Sequence, residues 1–449
     1  MLIKASIENF KSFNKRAELN LISSSKIQSH SDHKVKIKQT TLLKNSVIYG
    51  ANASGKSNLI EFFHFFKWTV SRGLPIESRE FFSRIEEENR DRDSEFEIQF
   101  AIDDKFYAYG FTSRLQEGTI TGEWLYELKQ DGNAGMVFQW ERNKKPELGS
   151  QIKLGKDERK RFEVYAEDYL SSVETLFLTE MNRNKKYSQK SKLLFFSEIY
   201  DWITNNIVVI TPNTKIANFQ YYYDQESLVR VNELIREFDT GISEVCIKNI
   251  DLEEMRASIP REIYEDIVSE IEKSMKEEAA VQMTMRSQTD FFNIVLQKNE
   301  ELEVSTICMK HGRSKFDFRF EEESDGTRRV FELMDMLLSK KDNVVYIVDE
   351  LERSLHPKLT ERFLELFMKI HQRDKAQLIF STHEASIMDT DLFRRDEVWF
   401  VERDINNNSN IYSLDRFKER YDKKLSKAYL DGRYGAVPIF KSFEFADGE

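Results

Sequence analysis

The sequence predicts an α/β protein in which helices cover a mixed sheet and a mainly helical insertion separates the two halves of that sheet in the chain. Short strands and helices alternate at the start of the chain and again after Phe291, which is typical of a helix-covered sheet. From about Leu176, apolar residues recur instead at helical spacing. We therefore expect residues 1–180 and 291–449 to form one head, and residues 181–290 to form the insertion.

Individual elements follow from the local pattern of the sequence. Leu2–Ile7 alternates apolar and polar residues as a half-buried strand does, and Ser46–Tyr49 is a short apolar run before a glycine-rich turn and a helix. Glu95–Phe100 alternates strictly, which predicts an antiparallel strand with one wet face. In the insertion, apolar residues within Leu228–Phe238 share one helix face, and Arg261–Ala280 is a second, charged helical stretch.

Composition narrows the class of protein. Hydrophobic residues make up 40% of the 449 residues and charged residues 32%, which excludes both a disordered chain and a membrane bundle. No stretch approaches the ~20 apolar residues of a spanning helix, and the N-terminus lacks an export signal. Because Cys246 and Cys308 are the only cysteines, a disulfide scaffold and a cysteine-based zinc site are excluded. We expect a cytoplasmic protein without a membrane partner.

The strongest motif is the segment Gly50–Ser57, which matches the phosphate-binding loop G-x-x-x-x-G-K-[ST] between a predicted strand and a predicted helix. Backbone N–H groups of such a loop turn around phosphates, and the helix points its positive end at them. We expect Lys56 to reach the β- and γ-phosphates and the Ser57 hydroxyl to bind Mg²⁺. The alternative, a glycine-rich turn with chance spacing, does not explain the flanking elements. The residues expected to bind the nucleotide are Gly50, Asn52, Ala53, Ser54, Gly55, Lys56, Ser57 and Asn58.

A second motif lies almost 300 residues later, where the β-forming run Val344–Val348 ends in two acids. In α/β proteins ligand sites form at the carboxyl ends of parallel strands. We expect Asp349 to hold Mg²⁺ through water and Glu350 to orient or deprotonate the attacking water. Such a strand end alone is often a solvated loop start, but together with the phosphate-binding loop it favours nucleotide hydrolysis.

The segment Glu323–Arg329 precedes a helix and contains a Ser-x-Gly pattern. Here the chain resembles the ATP-binding-cassette (ABC) class of ATPases, in the branch with SMC proteins, RecF and OLD-type nucleases. The resemblance implies an ABC-type ATPase head, in which this signature contacts the γ-phosphate of ATP held by the other subunit. The implied residues acting in trans are Ser324, Asp325, Gly326 and Thr327. Asp325 and Thr327 depart from the commoner Leu-Ser-Gly-Gly-Gln form and look like the OLD-like variant. A simple helix cap at Ser324 or Asp325 is compatible with this role.

Further matches to that class follow in the expected order. Glu352–Pro357 resembles the loop that crosses the dimer interface, which implies interface roles for Ser354 and His356. The apolar strand Leu378–Thr382 ends in His383, and the resemblance implies that this histidine contacts the γ-phosphate, although a lone histidine at a strand end is usually structural. The implied catalytic residues are Glu350, His383 and Lys56. At the N-terminus, the NFKSF sequence of Asn9–Phe13 looks like the opening of SMC- and RecF-type heads, although a simple hairpin edge would look the same.

Two segments refine or limit the resemblance. Tyr429–Pro438 is similar to the GRYGAIP ending of stand-alone prokaryotic ATPases of the abortive-infection type, including RloA and AbiL-like proteins, although a turn that packs the tail onto the head would look the same. The loop glutamine that normally couples Mg²⁺ to the insertion has no clear match. Glu180 or Asn182 lies at a plausible place, whereas Gln99 is better explained by the wet face of its strand.

Partners are indicated by charge and by the resemblance. The chain has 67 basic and 78 acidic residues and a net charge of −11, which does not fit a uniformly basic nucleic-acid binder. A local basic run leaves nucleic acid open as a partner, although solvated helix faces have the same composition. The run consists of Arg183, Lys185, Lys186, Lys190 and Lys192.

The function expected from these observations is an ATPase that uses ATP and Mg²⁺. The resemblance implies a switch that forms a homodimer, or a higher homo-oligomer, around ATP and controls a separate nuclease or toxin effector in anti-phage defence. The segment after His383 carries no nuclease signature. The alternative is a RecF-like DNA-binding ATPase in repair, which a basic surface with salt-dependent DNA binding would distinguish. The NFKSF opening and the large insertion do not fit a third class, the transporter ATPases.

Overall fold

The computed structural model describes residues 1–129, 132–171, 174–212, 214, 220–276, 281–286, 291–296, 302–417 and 424–438. The chain divides into two compact units. The first comprises Met1–Pro212, Lys341–Leu351 and His371–Glu449, and the second comprises Asn213–Lys340 and Glu352–Ile370. Each unit is discontinuous in sequence, because the chain leaves the first unit after Pro212 and returns to it twice.

The first sheet of the first unit is antiparallel and has seven strands among the described residues. The strand bounds, in spatial order, are β10 (Glu147–Leu148), β9 (Ala134–Glu141), β8 (Thr119–Leu128), β7 (Lys105–Arg114), β6 (Ser94–Ile102), β1 (Leu2–Glu8) and β2 (Ala17–Asn20). Along β6, Phe96, Ile98 and Phe100 are buried, while Glu97 and Gln99 between them stay partly exposed. The sequence prediction of one wet face is therefore confirmed for this strand.

The second sheet of the first unit has six strands in the described part of the chain, five of them parallel. In spatial order the strands are β11 (Ile207–Ile210), β16 (Val345–Val348), β17 (Gln377–Ser381), β5 (Asn45–Tyr49), β18 (Val398–Arg403) and the antiparallel β19 (Ser409–Ser413). All residues of β5, β16 and β17 are buried, as strands covered on both faces require. A small hairpin of β3 (Lys34–Ile37) and β4 (Thr40–Leu43) also belongs to this unit.

Helices of the first unit pack on these sheets. Their bounds are α1 (Lys56–Arg72), α2 (Lys156–Asp168), α3 (Phe177–Asn182), α4 (Leu194–Asp201) and α11 (Leu425–Leu430). Helix α1 buries its phenylalanines against the seven-stranded sheet, where the Phe65 ring lies 4.9 Å from Phe96 and 5.4 Å from Phe10. Phe10 and Phe13 are fully buried, so both aromatic residues of the NFKSF segment belong to this core.

The second unit has its own sheet and core. The antiparallel strands are, in spatial order, β12 (Ile242–Ile250), β15 (Glu303–His311), β14 (Phe291–Leu296) and β13 (Val281–Arg286). The helices are α5 (Gln220–Tyr223), α6 (Gln225–Ile235), α7 (Leu252–Ala257), α8 (Arg261–Lys276), α9 (Asp325–Leu338) and α10 (Pro357–Ile370). Ile267 and Ile271 of α8 pack with Ile294 of β14 in one apolar cluster.

The predicted fold class is confirmed: the protein is an α/β molecule with a mixed, helix-covered sheet that carries the glycine-rich loop. The three-part division at residues 180 and 290 stays a prediction. Residues 181–290 contain β11, β12 and β13 beside their helices. Cys246 and Cys308 face each other across β12 and β15, and one disulfide joins them. Within the described ranges, no helix is long and apolar enough to cross a membrane.

Candidate nucleotide-binding site

The glycine-rich loop lies between β5 and α1, as the sequence predicts. Gly55 has a φ of 113°, a left-handed conformation that side chains disfavour, and α1 begins at the next residue. A Cβ on Gly50 would collide with the carbonyl oxygen of Val401, and one on Gly55 would collide with the hydroxyls of Ser12 and Ser409. Glycine is therefore required at Gly50 by space, and at Gly55 by both conformation and space.

Neighbouring segments brace this loop. The Ser409 hydroxyl donates to the Ser54 carbonyl at 2.6 Å, and the Asn58 side-chain amide donates to the Ser12 hydroxyl at 2.8 Å. The backbone N–H of Ser409 also donates to the Ser12 carbonyl at 2.7 Å. The NFKSF segment and the hairpin of β18 and β19 therefore hold the loop from one side, which fixes its shape before any ligand arrives.

Lys56 is buried, with 4% of its surface exposed. Its ammonium donates to the carbonyls of Gly50 at 2.6 Å and Ala51 at 3.1 Å, and it lies 3.4 Å from the His383 Nδ1 atom. The ammonium therefore lies at the opening of its own loop, where it can contact a bound phosphate.

The two acids predicted at the end of β16 lie at the carboxyl edge of the parallel sheet. Asp349 is 7% exposed, whereas the side chain of Glu350 is 38% exposed. The hydroxyl of Ser381, on the neighbouring strand β17, donates to Asp349 at 2.5 Å and accepts the backbone N–H of Glu350 at 2.9 Å. Ser381 therefore orients the Asp349 carboxylate and holds the backbone at Glu350. The sequence analysis missed this role because strand pairing alone brings these residues together.

A cavity of about 440 Å³ collects most of the predicted residues. It is lined by Asn52, Ala53, Ser54, Gly55, Lys56, Ser57, Asn58, Glu350, His383 and Arg403. The His383 Nε2 atom is 3.9 Å from the Glu350 carboxylate, so the predicted histidine and acid share one wall. The structure thus brings together the loop, Glu350 and His383, which are far apart in the sequence.

Arg403 at the end of β18 is a second residue that sequence reasoning missed. With Asn58 it also lines an adjoining cavity of about 560 Å³, whose other walls include Lys11, Ser12 and Phe82. The available signal was position: Arg403 follows the apolar run Val398–Val401, and the strand beside a phosphate-binding loop ends near its ligand. Neither cavity contains Glu180 or Asn182.

The predicted signature lies in the second unit, at the start of α9. The Ser324 side chain caps the helix by accepting the Thr327 backbone N–H at 3.1 Å, and Asp325 pairs with Arg328 at 2.6 Å. A Cβ on Gly326 would lie 2.8 Å from the Ser354 carbonyl oxygen, so the signature and the predicted interface loop are neighbours. His356 of that loop accepts the Lys358 N–H at 3.2 Å and immediately precedes α10, which begins at Pro357.

Other predicted segments lie elsewhere in the first unit. Thr179 donates to the Val70 carbonyl, near the last turn of α1, which is about 21 Å along that helix from Lys56. Asn182 donates to two backbone carbonyls, of Leu178 and Phe196. Glu180 and Asn182 are therefore not at the phosphate end of α1, and the missing glutamine has no counterpart there.

The basic run is only partly available to a ligand. Lys185 donates to the Glu180 carbonyl and lies 4.6 Å from the centre of the Tyr165 ring, while Arg183 contacts Glu180 at 3.5 Å. Two of its five cations therefore already have partners within the first unit, so the run itself does not establish a nucleic-acid surface.

The C-terminal segment packs behind β18. Tyr434 is buried against Phe400 and Phe417, and the Ala436 N–H donates to Glu402 at 3.0 Å. Burial raises the pKa of Tyr429, near the loop, to about 12. This segment therefore closes the core next to the glycine-rich loop, as the structural interpretation of the motif predicts.

A glycine-rich loop between a buried strand and a helix, with paired acids at the end of a neighbouring strand, defines the class of P-loop ATPases. The chain belongs to the family described as "AAA domain, putative AbiEii toxin, Type IV TA system", whose model matches residues 46–144 and 221–389. This membership confirms the resemblance seen in the sequence, to ABC-class ATPases related to abortive-infection proteins.

None of the curated proteins matches the chain. Among solved structures, it is 13% identical to an SMC head bound to the C-winged helix domain of ScpA, with a TM-score of 0.39, covering 96% of this chain and 99% of that one. It is 14% identical to an SMC head domain from Thermotoga maritima, with a TM-score of 0.33, covering 92% and 98%. At TM-scores this low, the likeness adds no evidence beyond the strand order of the sheet.

Proposed function

We propose that the protein binds ATP with Mg²⁺ at the cavity of the first unit and hydrolyses it. The observation that carries this proposal is the convergence of Lys56, Glu350 and His383 on a loop whose glycines leave room for phosphates. The Ser57 hydroxyl and the Asp349 carboxylate are oxygen donors of the kind that Mg²⁺ prefers, so the residues fit the ion. Bound there, Mg²⁺ would neutralise charge on the phosphates.

The chain's own residues supply the other steps of hydrolysis. Lys56 and the loop N–H groups hold the phosphates, and Glu350 takes a proton from the water that attacks the γ-phosphorus atom. The bond between that atom and the β–γ bridging oxygen breaks, which releases ADP and phosphate. Ser381 keeps both acids in register, and His383 faces the γ-phosphate from the same wall as Glu350.

We further propose that two copies close around two ATP molecules. The start of α9 supports this, because its free N–H groups and the Ser324 hydroxyl form an anion-binding end that the ATP of a partner copy would occupy. Ser354 and His356 would then face the partner as well. ATP shifts the equilibrium towards the closed dimer only if it binds that state more tightly, and the signature contact supplies this difference in affinity.

The dimer is proposed to act as a switch in anti-phage defence, controlling a separate nuclease or toxin. The family description, which names an AbiEii toxin of a type IV toxin–antitoxin system, supports a defence role. The effector would recognise the ATP-bound state, and hydrolysis would release it. We place this system in the cytoplasm, where ATP is abundant.

The test of the dimer uses Glu350→Gln, which should bind ATP but not consume it. With saturating ATP and Mg²⁺ we expect this variant to sediment as a dimer, and to be a monomer without nucleotide. The matched control is Glu384→Gln, whose carboxylate caps Ser386 outside the cavity and whose loss should leave turnover unchanged. A Glu350→Gln protein that stays monomeric with ATP would contradict the closed dimer.

The test of the switch is a pull-down of tagged Glu350→Gln protein from its host, with bound proteins and nucleic acids identified. We expect a stoichiometric nuclease or toxin that wild-type protein releases on hydrolysing ATP. Bound DNA together with repair or replication proteins, and no effector, would instead support the RecF-like alternative.

A further inference from the structure

A cluster of two histidines and an aspartate lies in the loop before β3, apart from the nucleotide site. The potential ligand atoms of His30, Asp32 and His33 all lie within 4.8 Å of one another. The two imidazole rings are 4.7 Å apart between their centres. These residues fall outside the stretches 46–144 and 221–389 that the family model matches.

The buried histidine of the cluster has its ring oriented by a buried acid. The His33 Nδ1 atom lies 3.0 Å from a carboxylate oxygen of Glu397, which has no exposed surface. That carboxylate also accepts the backbone N–H of Arg394 at 2.8 Å, so it is itself fixed in place. When Nδ1 donates to this carboxylate, the lone pair of Nε2 is left for a ligand.

The second histidine is fixed in a complementary way. The His30 Nε2 atom lies 2.7 Å from the carbonyl oxygen of Thr390. A carbonyl can only accept, so Nε2 carries the proton and Nδ1 keeps its lone pair. His30 also has a φ of 47°, a left-handed conformation that a non-glycine residue adopts at a cost. Metal-binding histidines in proteins have this arrangement, with the remote N–H donated to a carboxylate or a backbone carbonyl.

The loop is held against the same segment by further hydrogen bonds. The buried guanidinium of Arg394 donates to the carbonyls of Ser29 and Ile27 and pairs with Asp396 at 2.9 Å. The Ser24 N–H also donates to Asp396 at 2.7 Å. The cluster therefore sits on a preformed scaffold rather than on a free loop, which lowers the entropy cost of ordering three ligands.

We propose that His30, Asp32 and His33 bind one divalent ion of the zinc class. Two neutral imidazoles and a carboxylate suit Zn²⁺, Co²⁺ or Ni²⁺, and three protein ligands leave a coordination position for water. Mg²⁺ prefers oxygen ligands and does not compete for imidazole, so this ion is distinct from the one proposed at Ser57 and Asp349. The segment that leads into β18 supplies the hydrogen-bond partners of both histidines, Thr390 and Glu397.

The experiment titrates Co²⁺ into the full-length protein in the presence of millimolar Mg²⁺, which occupies oxygen sites. We expect a visible d–d absorption band that saturates at one equivalent and disappears when Zn²⁺ is added. Thermal unfolding should shift to higher temperature with the ion, because it binds the folded state only. A titration without a saturable band at one equivalent would overturn the proposal.

Variants assign the ligands. His30→Ala and Asp32→Asn change partly or fully exposed residues, so their folding should be preserved while the band is lost. Glu397→Gln should weaken Co²⁺ binding by about 10–100-fold, as the loss of an orienting partner does. The matched control is His64→Ala, an exposed histidine of α1 that should leave binding unchanged. Wild-type affinity in His30→Ala would refute the assignment.

Discussion

At the scale of single residues, the structure gives a role to two side chains that had none in the sequence analysis. Ser381 ties Asp349 to the backbone of Glu350, and Glu123 lies fully buried where α3 begins. Glu123 accepts the backbone N–H groups of Phe177 and Leu178 and the hydroxyl of Tyr109. Both side chains act by orienting other groups, and both can be tested separately from the residues of the motifs.

Ser381→Ala should slow ATP turnover about 10–100-fold, since a hydrogen bond to a charged group contributes ~1.5–3 kcal/mol. ATP binding should change less, because the loop and Lys56 remain. The measurement is kcat and KM for ATP hydrolysis. The matched control is Ser46→Ala, a buried serine on the neighbouring strand β5 whose hydroxyl has no hydrogen-bond partner. Equal rates of ATP hydrolysis in wild type and Ser381→Ala would contradict an orienting role for Ser381.

The stability of the protein should depend on pH through Glu123. Burial raises its pKa from 4.5 to about 7, although the three donors oppose the shift. Because the folded pKa is higher, this contribution to the free energy of unfolding is complete below pH 4.5 and is lost as the pH rises through 7. The loss is roughly 3 kcal/mol.

Glu123→Gln cannot ionise, so its free energy of unfolding should lack this decline between pH 4.5 and 7. Urea unfolding of both proteins across that range measures the difference. Tyr109→Phe removes one donor to the carboxylate and should extend the decline to higher pH. Parallel pH profiles for wild type and Glu123→Gln would show that this carboxyl does not titrate as expected.

At the scale of elements, helix α9 combines two uses of its first residues. The Ser324 hydroxyl caps the helix, and the same hydroxyl is proposed to meet a phosphate of the partner's ATP. Fourteen residues, nine of them buried, hold the helix in the second unit, so its start is rigid. The cap and the phosphate contact can be separated by choosing a residue that preserves only one of them.

Ser324→Asp should keep the cap, since aspartate is a good capping residue, while its charge repels a phosphate. Ser324→Ala should lose both, and its free energy of unfolding should fall by about 1 kcal/mol. We therefore expect two variants with different melting temperatures and the same loss of ATP-dependent dimer. Melting curves and sedimentation with ATP measure the two properties. An ATP-dependent dimer of Ser324→Asp would exclude the phosphate contact.

At the scale of the whole molecule, the proposed site is composite, with a loop from one copy and a signature from the other. Lys56→Ala and Ser324→Asp should each be inactive alone. Mixed in equal amounts, they should recover roughly a quarter of the wild-type ATPase rate, because half of the dimers are mixed and each has one intact site.

The matched control for this mixture pairs Lys56→Ala with Glu350→Gln. Lys56 and Glu350 belong to the same copy's half of each site, so no intact site forms and the mixture should stay inactive. ATPase activity in the control mixture, or none in the Lys56→Ala and Ser324→Asp mixture, would contradict an ATP site shared between two copies.

Local pattern predicted the parts of the structure whose residues are consecutive. The loop Gly50–Ser57 needs its strand and helix beside it, and the β16 acids need only their own strand, so both could be predicted. Ser381, Arg403 and the His33–Glu397 pair depend on which strands and loops meet in the fold. Sequence periodicity does not contain that information. The strands β11 and β12 within 181–290 were missed for a related reason, since apolar and polar residues do not alternate strictly in them and non-local pairing decides. The strand β13 does alternate, so its pattern could have been predicted.

The position of β5 has a consequence for the synthesis of the chain. This strand, which leads into the phosphate-binding loop, pairs with β17 on one side and β18 on the other. Both neighbours come from residues 377–403, so a ribosome completes the loop long before either of them exists. Until then an apolar strand leaves the ribosome without partners, as is typical of slow, high-contact-order folding. A nascent chain arrested before residue 377 has the whole loop sequence but neither of the two strands that flank β5.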